Sequence, residues 1–363
     1  MSLLPGKHID RLSAGVHGGF DYTEFERLGI DPENIIDFSV STNPLGIPPG
    51  IIEPITDIEA SRYPDSRSLS LIREIARTIG VSEQTILAGA GSTELIRLAV
   101  TAYCTPADRA VVLGPTYGEY RTACLIANVE VTDITAPESS SFMPDIDIIL
   151  KLILQLGPKI IFICNPNNPT GVYLGYDEIK AVVSAAPDSL IVLDEAYAAF
   201  ADNRWDPVDL LKTGNLLILR SMTKDYAIAG LRLGYAIAHA DIISILHKVA
   251  PPWNVNVAAQ KVGLALIRQK DFLEQSRKAV HEGKEYLTDE LTKLGFRCLP
   301  SSVNFFLIET DNASELRTRL LRKSILVRDC TSFGLPRHIR IAVQTPEANR
   351  AMITALKDMQ HDR

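Results

Sequence analysis

Short runs of β-branched and aliphatic residues recur between positions 85 and 240: "AVVLG" near 110, "KIIFIC" from 159, "LIVLDE" from 190 and "LLILRS" from 216. Such continuous apolar runs predict strands buried on both faces. Between them lie stretches with helical spacing. In "ELIRLAVTAYC", which begins at Glu94, residues Leu95, Leu98, Ala99 and Ala102 fall on one face. Strand and helix alternating in this way predict an α/β fold with a mostly parallel sheet. Outside this segment the pattern changes. An N-terminal arm, residues 1–45, precedes a large domain at 46–258, and a C-terminal region at 259–363 carries "VNFFLIE" and "HIRIAV" as strands among helices. The two ends are expected to combine into a smaller α+β domain.

A chain of 363 residues exceeds what one hydrophobic core usually serves, which fits a division into two domains. Its composition, 46% hydrophobic and 22% charged, is that of a globular protein rather than a disordered one. Lysine and arginine number 37 against 44 acidic residues, a net charge of −7 with no basic block, so nucleic acid is not an expected partner. The start, "MSLLPGKHIDRL", has no apolar core of a leader, and no stretch of about 18 uncharged apolar residues occurs. A cytoplasmic protein without membrane contact is expected. The five cysteines show no C-x-x-C spacing and the seven histidines no H-x-x-x-H pair, so reduced thiols and no metal site are expected.

The chemistry sits where the strands end. "NPNNPTG" follows "KIIFIC", "DEAY" follows "LIVL", and "RSMTK" follows "LLIL". Open parallel sheets bind ligands beyond the carboxyl ends of their strands, so Asn168, Asp194, Tyr197, Ser221 and Lys224 are expected to face one crevice. Each motif alone has a plain reading. "NPNNPTG" is a turn, Asp194 a helix cap, Lys224 a solvated charge, and "GAGSTE" at 89–94 a weak glycine loop without the G-K-[ST] of a Walker A motif.

Together they match the needs of pyridoxal 5′-phosphate: an amine for its aldehyde, a carboxylate for its ring nitrogen, and donors for its phosphate. Lys224 supplies the amine and Asp194 the carboxylate. Asn168 and Tyr197 are placed for the ring hydroxyl, and Tyr117 for the ring face. Gly91, Ser92 and Thr93 at a helix start, with Ser221 and Arg232, would hold the phosphate. Lys224, Asp194 and Tyr197 are the catalytic candidates.

The motifs "RYPD", "GAGSTE", "PTYGEY", "NPNNPTG", "DEAY" and "SMTKDYAIAGLRLGY", in this order over residues 62–235 and with "HIRIAV" beyond, resemble the class I/II aminotransferase family of fold type I pyridoxal-phosphate enzymes. The resemblance implies a large domain with a central parallel sheet, a smaller domain from both chain ends, and a homodimer with shared active sites. It implies that Tyr63 reaches the neighbouring subunit's cofactor phosphate, that Arg340 holds a substrate carboxylate, and that Asn43 lies on the substrate side.

Within the family two groups compete. The cofactor motifs look like those of the histidinol-phosphate aminotransferases, whereas "HGGFDYTEFERLGIDPENIIDFSVSTNPLG" and "ILVRDCTSF" look more like the L-threonine-O-3-phosphate decarboxylases of cobalamin biosynthesis. The second likeness implies substrate roles for His17 and Gly18, and makes Arg328 the candidate for a substrate phosphate. One departure stands out: Gln344 follows "RIAV" where those decarboxylases tend to carry arginine. On this reading the expected reaction is loss of carbon dioxide from threonine phosphate, or from serine phosphate, giving the aminopropanol or ethanolamine phosphate. The alternative is transamination of histidinol phosphate with 2-oxoglutarate. A non-catalytic cofactor-binding sensor is a third, remote reading, since a sensor has no use for Lys224, Asp194 and Arg340 together.

Overall fold

The computed structural model describes residues 6–12 and 15–361. Strand β1 (Ile36–Asp37) lies in the N-terminal segment, and the next seven strands make the central sheet. These are β2 (Ile86–Gly89), β3 (Arg109–Gly114), β4 (Glu130–Thr135), β5 (Ile160–Cys164), β6 (Leu190–Asp194), β7 (Leu216–Ser221) and β8 (Gly234–Ala238). They are ordered β2-β8-β7-β6-β5-β3-β4, and only β8 runs antiparallel to its neighbours.

The unbroken apolar runs are explained by the layers on either side. Ile161 and Ile163 of β5 and Ile191 and Leu193 of β6 enter one core, while Ile160, Phe162, Leu190 and Val192 enter the opposite one. Side chains alternate along a strand, so both faces must be apolar when helices cover both. Strand β4 was not legible as such a run. It is an edge strand of sequence "EVTDIT" with no fully buried residue, and its acidic side chains pair with Arg109 at 3.1 Å and Arg121 at 2.6 Å.

The C-terminal region adds β9 (Phe305–Glu309), β10 (Ile325–Leu326), β11 (Arg328–Asp329) and β12 (His338–Ala342). Strands β11-β12-β9 form an antiparallel sheet, and β1 pairs in parallel with β10 through Ile36↔Ile325 and Asp37↔Leu326. The N-terminal helix Tyr22–Leu28 is capped by Asp21, whose carboxylate accepts from the Thr23 and Glu24 backbone N–H groups. Its Glu24 receives both guanidinium arms of Arg317. The two ends of the chain therefore meet, around a core that includes Phe38, Phe306, Ile339, Ile341 and Met352. No helix among the described residues is long and apolar enough to cross a membrane.

Phe306 is fully enclosed in that core. Phe306→Ala is expected to remove about 3–5 kcal/mol of stability, read as a lowered urea midpoint. A loss below about 1 kcal/mol would contradict the packing described for the C-terminal sheet.

Candidate active site

A cavity of about 780 Å³ opens beyond the carboxyl ends of β5, β6 and β7. Its floor comes from the turns that follow those strands. In "NPNNPTG" two asparagines build the turn. Asn165 exchanges bonds with the Leu174 backbone at 2.7 and 3.0 Å, and Asn167 binds the Pro115 carbonyl, Thr116 and Thr170. That frame leaves Asn168, the third asparagine, on the cavity wall with Asp194, Tyr197, Ser221 and Lys224.

Asp194 ends β6 with its carboxylate enclosed. The Tyr120 hydroxyl donates to it at 2.8 Å and the Ala196 N–H at 3.0 Å, yet burial dominates and pushes its pKa up to about 6. Lys224 stands in the same low-dielectric space. Burial first, then the guanidinium groups of Arg340 and Arg232, bring its amine down to about 8. A lysine in this condition is partly unprotonated near neutral pH and nucleophilic.

The opposite wall is a helix start. Helix Ser92–Tyr103 follows Gly91, which has φ +82°, and a Cβ there would come within 2.8 Å of Arg232 Nη2. Glycine thus admits the guanidinium to the end of the helix, where unpaired N–H groups favour an anion. Ser92, Thr93 and Arg232 line the cavity, and the Ser221 hydroxyl, 2.6 Å from that of Thr223, faces them. Tyr117 shares a hydrogen bond with Thr93 at 3.3 Å. A ring carrying one phosphate, one pyridine nitrogen and one aldehyde fits this set: a cationic glycine cradle, a buried carboxylate and a desolvated amine.

Arg340 completes the floor. Its Nη1 donates to Asn168 Oδ1 and its Nη2 to the Ser39 carbonyl at 2.6 Å, while it packs over the Phe305 ring at 5.0 Å. Among the described residues its Nε, a buried donor, has no partner. Toward the mouth, Arg328 donates to the carbonyls of Val16 and His17 and to Ser332 Oγ, all within 2.8 Å. Gly18 lies against Ser39 so closely that a Cβ would approach its carbonyl oxygen to 2.4 Å. The His17 ring, half exposed, stands 3.4 Å from Glu119.

Two expected site residues lie elsewhere. Asn43 does not line the cavity; its amide is turned inward to backbone and to Ser276. Tyr63 is 77% exposed and stacks on Trp253 at 4.3 Å, outside this chain's own cavity. Gln344 does not line it either, because its amide donates to the Asp37 carbonyl at 2.9 Å. The cation missing from that position is therefore not missing from the cavity wall. Sequence reasoning passed over Tyr120, which orients Asp194, and Glu119, which pairs with Arg97 at 3.3 Å. Both stand in the "PTYGEY" stretch already noted for Tyr117, and a signal was present in their polarity next to a helix start.

The family model for aminotransferase class I and II matches residues 33–356. The chain belongs to this family. Its architecture is that of the fold type I pyridoxal-phosphate enzymes, and its cofactor is pyridoxal 5′-phosphate. A histidinol-phosphate aminotransferase of Symbiobacterium thermophilum is 33% identical over 329 residues, covering 89% of this chain and 90% of that one. Further curated relatives, 30–32% identical, carry the same name. The histidinol-phosphate aminotransferase of Sinorhizobium meliloti, in complex with pyridoxal-5′-phosphate, has the same fold at TM-score 0.87 and 19% identity, covering 98% and 97% of the two chains. The L-threonine-O-3-phosphate decarboxylase of Porphyromonas gingivalis superposes at TM-score 0.79 with 26% identity, covering 89% of this chain and 99% of that one.

These findings correct the reaction expected from the N-terminal arm. The decarboxylation of threonine or serine phosphate rested on likeness in the first 46 residues and near 325–333. Across nearly the whole chain, identity of 30% and more lies with aminotransferases. Short segments at a cavity mouth are the parts of a fold most free to vary, and they misdirected the reading.

Two outcomes are expected from this geometry. Gly91→Ala should weaken pyridoxal phosphate binding by about tenfold or more, because a methyl group displaces Arg232 from the helix start. Absorbance titration of the apoprotein checks this, and unchanged affinity would contradict the cradle. The amine of Lys224 in the apoprotein should be half-deprotonated near pH 8, so its acetylation, mapped by mass spectrometry, should rise through that pH. An ordinary lysine would not reach its midpoint until about pH 10.4.

Proposed function

We propose that the protein is an aminotransferase that takes a phosphorylated amine, histidinol phosphate, and passes its amino group to 2-oxoglutarate. The observation that carries this reading is the pair of buried guanidinium groups, Arg340 and Arg328, lining a cavity that also holds a desolvated lysine. One substrate presents a phosphate and the other carboxylates. Planar guanidinium forks accept both anions, so one wall serves both halves of the exchange. The names of the relatives support the phosphorylated substrate.

Pyridoxal phosphate, when bound, supplies an electron-withdrawing ring that acidifies the bonds at the amine-bearing carbon of the substrate. Lys224 would supply the amine that holds it and, once displaced, would carry a proton from that carbon of the substrate to the carbon the lysine itself had held, so that the amino group stays behind when the keto product leaves. An amine with a pKa near 8 gives and takes protons readily at neutral pH. Asp194 keeps a proton at the pyridine nitrogen by facing it with negative charge, and Tyr120 fixes the carboxylate's orientation. Asn168, tied to Arg340 through its oxygen, has its amide N–H free for the ring hydroxyl, and Tyr197 approaches the same oxygen. Ser92, Thr93, Ser221 and Arg232 hold the cofactor phosphate, and Tyr117 covers the ring. Arg340, with its unpartnered Nε, binds the anion nearest the reacting carbon. Arg328, with His17 and Gly18 of the arm, closes the outer end over the second anion. In a homodimer, exposed Tyr63 reaches the cofactor phosphate of the other subunit.

The test uses purified holoenzyme with L-histidinol phosphate and 2-oxoglutarate. Formation of glutamate is expected, and Arg340→Ala should lower kcat/KM by about 100-fold. Absence of glutamate, together with carbon dioxide release from threonine phosphate without a keto acid, would overturn the reading. Separately, borohydride reduction should fix the cofactor to Lys224 and leave none on Lys224→Ala. An adduct mapped to another lysine would contradict the assignment of the amine.

A further inference from the structure

We infer that Asn43 is a positioning residue for Lys224: from the distant N-terminal segment it closes the C-terminal end of the one-turn helix Met222–Asp225 and fixes the backbone from which the lysine amine is aimed. The last carbonyls of any helix lack partners within it, and in a helix of four residues that leaves the reactive residue's own carbonyl open. Asn43 meets two of them. Its backbone N–H donates to the Lys224 carbonyl at 3.0 Å, and its Nδ2 donates to the Asp225 carbonyl at 2.7 Å.

The remaining polar atoms of Asn43 hold it in that attitude. Nδ2 also donates to Ser276 Oγ at 2.7 Å, Ser276 in turn donates to the Phe272 carbonyl at 2.6 Å, and Asn43 Oδ1 accepts from the Leu45 N–H at 3.0 Å. Both hydrogens of the amide are therefore committed to protein acceptors, and Asn43 and Ser276 are buried, at 3% and 0% exposure. An amide suits the place by its chemistry. A carboxylate would face the Asp225 carbonyl with no hydrogen to give, and alanine would leave buried acceptors unpaired.

The consequence for the site follows from distance. The Lys224 amine shares its space with the cations of Arg340 and Arg232, and charge interactions in such surroundings change steeply with separation. Burial is the largest influence on that amine, the two cations also hold its proton affinity down, and Asp37 acts the other way. A lysine backbone free to drift loosens the enclosure, admitting water and weakening the hold of the cations. Ser276 belongs to helix Lys270–Lys293 of the C-terminal region, so the region that carries Arg340 also braces the lysine. The inference uses Lys224 as the cofactor amine and does not depend on which amine is the substrate.

The measurement is the pH titration of visible absorbance of the holoenzyme, which reports protonation at the Lys224 nitrogen and needs no amine substrate. In Asn43→Ala the midpoint is expected to rise by about half a pH unit or more as the cations recede, with kcat falling about tenfold and KM little changed. Ser276→Ala, which removes one brace and keeps the amide, should shift the midpoint in the same direction by less, and it serves where Asn43→Ala does not fold. Titrations superimposing on the wild type in the variants that fold would overturn the positioning role, as would a raised KM at unchanged kcat and midpoint. An absorbance band indifferent to Lys224→Ala would overturn this inference together with the assignment of the lysine. Failure of histidinol phosphate to react would leave the titration result standing.

Discussion

The guanidinium of Arg340 is the joint on which the site depends. It projects from β12, grips Asn168 at the end of the turn after β5, and holds the carbonyl of Ser39 in the N-terminal segment. Three pieces of chain, far apart in sequence, are thus registered by one planar group with fixed donor directions. Burial of a cation is costly without such partners, so the contacts that satisfy Arg340 are also those that assemble the cavity floor. Among the described residues its Nε has no partner, so the joint keeps one donor in reserve.

Around that joint the charges are balanced unevenly. Lys224, Arg97, Arg121, Arg232, Arg328 and Arg340 line the cavity against Asp194 and Glu119. Burial, and after it the positive charge of Arg340 and Arg232, lowers the proton affinity of Lys224. Asp194, kept apart behind Tyr120, responds to burial in the opposite sense. One enclosed space therefore brings an acid and an amine toward each other on the pH scale, the arrangement that proton traffic at neutral pH requires.

Much of this is legible in the sequence. Strands β3, β5, β6 and β7 announced themselves because burial on both faces leaves no polar alternation, and their polar ends marked Asn168, Asp194, Ser221 and Lys224. Strand β4, polar and at the edge, did not. Neither did β1, β10 and β11, two residues each: β1 and β10 exist only by pairing with each other across nearly the whole chain, and β11 only by pairing with the neighbouring β12. The same limit governs Asn43. The family resemblance implied a place on the substrate side, and only the fold reveals that both amide hydrogens go to backbone and Ser276. The arm near His17 and Gly18 misled about the reaction for a related reason. Its likeness was local, whereas the bond to be broken is decided by how the whole wall orients a substrate.

The edge strand β4 has a consequence of another kind. An exposed strand edge offers unpaired N–H and C=O groups to any passing chain, and a flat apolar one would nucleate sheet growth between molecules. Here Glu130 and Asp133 line that edge and are held by Arg109 and Arg121. Hydrated ion pairs would have to be stripped before another strand could dock. The sheet thus ends where its fourth strand is too wet to continue, and the colloidal behaviour of the molecule is written into the least regular line of its strand pattern.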